Sequence, residues 1–150
     1  SGGHIRRLSG TATMTGQANL TANTENNQTI IMTNGTVQLT ATFGSATPHV
    51  DMSMSGFTNT DATGVAVSDV PFTGLTITDM GISGNGFSGG TATFTTPTLN
   101  TTPLGTGQTT AVQGTFFGLT ADTGQPYEAG GVLLVQGSTG KVTGVFVASQ

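Results

Sequence analysis

An all-β fold, a single antiparallel β-barrel of about eight strands, is the architecture this sequence predicts. Three observations lead there. No window places apolar residues at i, i+3, i+4 and i+7, so the helical signature is missing. Short runs alternate apolar and polar residues between glycine-rich turns, the pattern of half-buried strands. The 150 residues make one domain, with enough chain for a core but not for two. Each strand has one apolar face, so the chain must fold that face onto itself. A closed barrel does this and removes exposed edges; a β-sandwich is the alternative. The many strand glycines favour the barrel, whose corners need backbone without Cβ.

Residues 1–8 hold two of the three basic residues and are expected as a flexible N-terminal arm, with the barrel over 9–150. Thr11–Leu20 alternates polar and small residues and reads as a first strand. Thr21–Thr29 reads as a loop, and Asn34-Gly35 as a turn. Thr36–Phe43 is the clearest strand, with Val37, Leu39, Ala41 and Phe43 on one face and Thr36, Gln38, Thr40 and Thr42 on the other. After a bend at Gly44–Pro48, Val50, Met52 and Met54 alternate with His49, Asp51 and Ser53. Asn59–Val70 reads as a loop with a short helical turn around Asp61–Val67. Phe72–Thr78 places Leu75 and Ile77 inward, and Asp79–Gly90 is glycine-rich with Ile82 and Phe87 as anchors. Thr91–Thr96 carries Ala92 and Phe94 on one face, and Pro97–Gly107 is a polar excursion. Thr109–Gly118, Glu128–Gln136 and Lys141–Ala148 complete the set, the last two joined by the compact turn Gly137–Gly140.

The composition narrows the function. Charged residues make up 7% of the chain, against about 25% in an ordinary domain. Neutral polar residues replace them, above all 32 threonines. Three basic residues cannot form a phosphate-binding stripe, so nucleic acid is not an expected partner. With no Cys there is no disulfide, thiol catalysis or cysteine metal site. No apolar run approaches 18 residues, so no membrane span is expected. The chain opens at Ser1 without a signal segment, as a mature or trimmed product does and as removal of Met before Ser would equally leave it, and a lipid anchor of a lipoprotein would need a Cys upstream. Sequons at Asn19, Asn27, Asn34 and Asn100 are expected from chance in so Asn- and Thr-rich a chain.

Few residues carry chemistry. His49 and Asp51 stand at i, i+2 on one strand face, a spacing open to a hydrogen-bonded pair or to two metal ligands. No third ligand is evident, since the other histidine is His4 in the arm, and a solvent-facing pair is the simpler reading. Gly84–Gly89 matches G-x-G-x-x-G, but β-type sequence follows where a dinucleotide loop opens a helix. The serines lack a G-x-S-x-G elbow, and the seven carboxylates form no paired-acid motif. Asp61 and Asp69 share a loop without the ligand density of a Ca²⁺ site. No catalytic residue, metal or cofactor is therefore expected. Phe116-Phe117 is different: adjacent strand residues face opposite ways, so one enters the core and the other stands outside. Phe117, Tyr127 and His49 are the candidate partner contacts.

The run Gly114-Thr-Phe116-Phe117-Gly118, with Glu128-Ala129-Gly130-Gly131-Val132 and the last strand Gly144–Ala148, resembles the C-terminal barrel signature of the transferrin-binding protein B-like family. Gly10–Gly16, Leu39–Gly44 and Ile82–Gly89 resemble the family's upstream segments in the same order. The chain departs from the pattern where Asp122–Tyr127 separates Ala121 from Glu128, and where Leu133 replaces an aromatic residue. Related barrels occur in factor H-binding protein, heparin-binding antigen and hemophilin. The resemblance implies a barrel, a bacterial surface or secreted location, and a non-enzymatic binding role, with no binding residue carried across. The partner expected is a protein or a small nutrient such as haem. The alternative is a structural subunit that self-assembles into a homo-oligomer, filament or layer through its N-terminal arm, since a weakly charged surface repels its own copies little.

Overall fold

The computed structural model describes residues 9–24, 27–97, 102–119 and 125–150. Nine strands run through them: β1 (Gly10–Thr24), β2 (Gln28–Phe43), β3 (His49–Ser55), β4 (Thr58–Thr60), β5 (Gly74–Ser83), β6 (Gly86–Thr95), β7 (Thr109–Leu119), β8 (Pro126–Gln136) and β9 (Lys141–Ser149). No α-helix occurs among the described residues. The strands neighbour one another in the order β1-β9-β8-β7-β6-β5-β3-β2, and β1 pairs with β2 to close the ring. The result is an antiparallel eight-strand barrel with β4 added against Ile31–Thr33 of β2. The barrel, rather than the sandwich, is thus the architecture adopted.

The interior is a packed core, as expected for eight strands, whose bore is just wide enough for side chains. Val37, Leu39, Ala41 and Phe43 of β2 are buried, while Thr36 and Gln38 between them are exposed. Phe116 sits among rings: its centroid lies 5.8 Å from Phe43 and 5.0 Å from Phe87, and Phe87 lies 6.1 Å from Phe146. Each such pair contributes roughly 0.5–1.5 kcal/mol beyond burial. The glycines of the signature make room for these rings. Gly114 and Gly131 are register partners on β7 and β8. A Cβ on Gly114 would run into the Phe87 ring, and one on Gly131 into the Gln113 carbonyl oxygen and the Phe146 ring. An apolar interior behind a threonine-rich wall is the reverse of a lipid-embedded barrel, whose apolar band faces outward.

Several expectations need correction. The segment Thr21–Thr29 is not a loop: β1 continues to Thr24 and β2 starts at Gln28, with Ala22 and Thr24 buried. The buried residues here, Ala22 and Thr24, are small and leave little hydrophobic signal. Asn34-Gly35 is not a turn but lies inside β2. Thr33 and Asn34 stand opposite Asn19 alone, a bulge in which Asn34 takes φ 56° and its N–H donates to Asn19 Oδ1 at 3.1 Å. The ring of Phe57 occupies the space a Cβ on Gly35 would need. Asp61–Val67 forms no helical turn: β4 leads into a tight reversal closed by Asp61 N–H to Val65 C=O, with a Thr60–Ala66 bridge behind it. The polar excursion hides a core residue, Leu104, which is fully buried beneath the β8–β9 turn and accepts from Thr139 N–H. The arm, residues 1–8, lies outside the described residues, as does the 120–124 part of the extended turn before β8.

Candidate functional site

Phe116 is buried and Phe117 is 44% exposed, so strand alternation turns one ring into the core and the other outward. Phe117 does not stand alone. Val132 of β8 lies directly opposite Val145 of β9, and Val147 lies opposite Gly130. All three valines are exposed. A Cβ on Gly130 would meet both the Phe117 ring and a Val147 methyl at 3.5 Å, so this glycine is the floor between them. Phe117, Val147, Val145 and Val132 therefore form one apolar strip on the outer face of β7–β9. Gln17 and Asn19 of β1, register partners of Val147 and Val145, border it with polar groups.

Two shallow grooves flank the strip. One of about 490 Å³ runs between Val132 and Val145 on one side and Asn19, Ile31 and Thr33 on the other. The second, of about 270 Å³, is lined by Phe117, Val147, Thr15, Gln17 and Glu128. Sequence inspection found Phe117 and missed the valines. Their signal was present: Val145, Phe146 and Val147 are consecutive, and in a strand such a run cannot be buried on one face.

The other candidates lie elsewhere. Tyr127 is 46% exposed, but Glu128 is the partner of Phe117, so Tyr127 falls on the opposite side of the pleat at the barrel mouth. His49 is on β3, which β1 and β2 separate from β9. Phe117, Tyr127 and His49 therefore do not form one site.

Around His49 the structure adds a residue that the sequence did not connect. Its Nδ1 lies 2.9 Å from Thr47 C=O, and its Nε2 lies 3.4 Å from Asp51 Oδ2. Asp51 Oδ1 accepts from Asp79 N–H at 3.0 Å. Here Thr78 and Asp79 of β5 stand opposite Asp51 alone, a second bulge, with Asp79 at φ 58°. The ligating atoms of His49, Asp51 and Asp79 all lie within 4.8 Å of one another, and this is the one such group of three among the described residues. The spacing Leu75, Ile77, Met80, Ile82 contained the clue, because a break in strict alternation marks a bulge.

Asp61 has a local role. Its Oδ1 accepts from the Thr63 hydroxyl at 2.7 Å, from Thr63 N–H at 2.8 Å and from Val65 N–H at 3.0 Å. The Thr63 hydroxyl first, then the amides, hold this carboxyl below the ordinary carboxylate range. The G-x-G-x-x-G run forms the β5–β6 hairpin: Ser83 pairs with Gly86, and Gly84 takes φ 63° at the turn.

Closed, filled and antiparallel, the molecule belongs structurally to the small eight-strand barrels with a packed interior. No family model and no curated protein sequence matches it. Solved structures do. Intact Ap-TbpB (N and C lobes) is similar at 21% identity and a TM-score of 0.62, over 100% of this chain and 28% of that one. The isotype 1 transferrin binding protein B from serogroup B Neisseria meningitidis is similar at 21% identity and a TM-score of 0.58, over 97% of this chain and 26% of that one. The chain has the fold of a TbpB-like barrel. It spans about a quarter of the length of either structure.

Proposed function

We propose that this barrel is a non-enzymatic binding module of a bacterial surface or secreted protein, and that it holds a protein partner on the apolar strip of β7–β9. One observation carries the reading. The barrel interior is occupied by its own side chains, while Phe117, Val132, Val145 and Val147 stand exposed together on an otherwise polar wall. Fully burying a Val or Phe side chain contributes roughly 1.5–3 kcal/mol. A partner that covers the strip completes the burial each of these side chains now makes in part. Aromatic and aliphatic anchors with a polar border are the usual layout of a protein interface. A nutrient the size of haem has less support, because the bore holds the Phe43, Phe87, Phe116 and Phe146 rings.

The bacterial surface setting is supported by the similarity to TbpB structures, and the partner class by one of them, a transferrin binding protein. Transferrin itself is not carried over to this chain. Self-assembly through the arm depends on residues outside the described ones. The test is a pull-down from serum with the wild-type barrel and with a Phe117→Ser/Val147→Ser variant whose fold is checked by circular dichroism. The wild type should retain a specific partner with weak salt dependence, and the variant should lose it. Retention unchanged by the double substitution, or capture only of further copies of the chain, would contradict the proposal.

A further inference from the structure

The His49–Asp51–Asp79 cluster has an arrangement that its own hydrogen bonds leave incomplete. Thr47 C=O can only accept, so His49 Nδ1 must carry the hydrogen between them. In the neutral ring Nε2 is then a bare acceptor. It faces Asp51 Oδ2, another acceptor, at 3.4 Å. Two acceptors so placed repel unless a positive centre lies between them. The second carboxylate, Asp79, comes to the same place through the β5 bulge. No Lys or Arg occurs on β3, on β5, or on the neighbouring β2 and β6 to balance the pair.

We propose that His49 Nε2, Asp51 and Asp79 form a site on the outer wall for a divalent transition-metal ion of the Zn²⁺ or Ni²⁺ type, with water in the remaining positions. The distances suit this class. Ligands about 2.0–2.2 Å from a tetrahedral ion lie about 3.3–3.6 Å from one another, and the His49–Asp51 edge is 3.4 Å. Rotation of the exposed Asp79 side chain brings in the third edge. The imidazole disfavours Mg²⁺ and Ca²⁺, which take oxygen ligands. The backbone carbonyl on Nδ1 is the outer contact that commonly fixes a ligating histidine in orientation and tautomer. Asp79 N–H does the same for Asp51 by engaging Oδ1 and leaving Oδ2 toward the histidine. The ion would tie β3 to β5 at the point where the bulge interrupts their ladder.

Isothermal titration of the full chain with Zn²⁺ and with Ni²⁺ tests the site. One ion per chain is expected, with a rise in melting temperature. His49→Gln and Asp79→Asn should each weaken binding at least about tenfold, and His4→Gln should leave it unchanged. The wild type gives an independent reading: the ring resonances of His49 should move on titration while those of His4 stay in place. Absence of uptake would show the proposal to be wrong. Binding that survives His49→Gln, or that is lost with His4→Gln, would overturn it as well.

Discussion

Glycine at 114 and 131 is where a single atom decides the packing. A methyl group at Gly114 would meet the Phe87 ring, and one at Gly131 would meet both the β7 backbone and the Phe146 ring. Gly114→Ala must displace the Phe87 ring, which also packs on Phe116 and Phe146. Overpacking of this kind costs about 1–3 kcal/mol. Chemical denaturation should show a lower midpoint at an unchanged slope, with the midpoint shift times the slope equal to that loss. Gly56→Ala is no control for sterics alone, since Gly56 has open space but a φ of 75°. These glycines were legible in the sequence as a motif, while their reason was not, because Phe87 and Phe146 reach them from β6 and β9. The opposite turns of Phe116 and Phe117 needed only strand alternation.

At the level of elements, regular strands could be read and interrupted ones could not. Thr36–Phe43 alternates strictly and pairs as it reads. Asn34-Gly35 carries the composition of a hairpin turn, yet both of its flanks pair with the same strand, β1. No local signal tells a chain reversal from a bulge when the partner is distant. The His49–Asp51–Asp79 group was hidden for the same reason, since Asp79 is 28 residues from Asp51 and arrives through another bulge. The reversal after β4 is a local device and makes a pH prediction. The Asp61 carboxyl is held below its ordinary range in the folded chain. A depressed folded value stabilises the turn at pH above the unfolded value, and that contribution is lost as pH falls through the folded value. Carbon-detected NMR should therefore show Asp61 titrating below the ordinary carboxylate range. The Thr63 and Val65 amide shifts should follow the same transition. Asp61→Asn should abolish their acid-range change.

For the whole molecule, the low charge and abundant threonine now have a location. Mostly neutral polar residues cover the wall, apolar residues fill the bore, and a strip of four apolar side chains interrupts the wall on β7–β9. The one-sided strands could be read from alternation, which left barrel and sandwich both open, and the strand glycines favoured the closed ring. The outward valines left a signal in the run Val145–Val147, but joining them into one strip with Phe117 takes the register of β7, β8 and β9, which sets Val132 opposite Val145 and Val147 opposite Gly130. The valines give a direct test of the central claim, that this face receives a protein partner. Val132, Val145 and Val147 point outward, whereas Val37, Val50, Val112, Val135 and Val142 are buried. With valine methyl groups labelled, addition of the serum partner retained by the wild-type barrel should shift and broaden the three outward valines and leave those five in place. Perturbation confined to the buried valines, or to Val65 on the β4 turn with the strip untouched, would contradict the account.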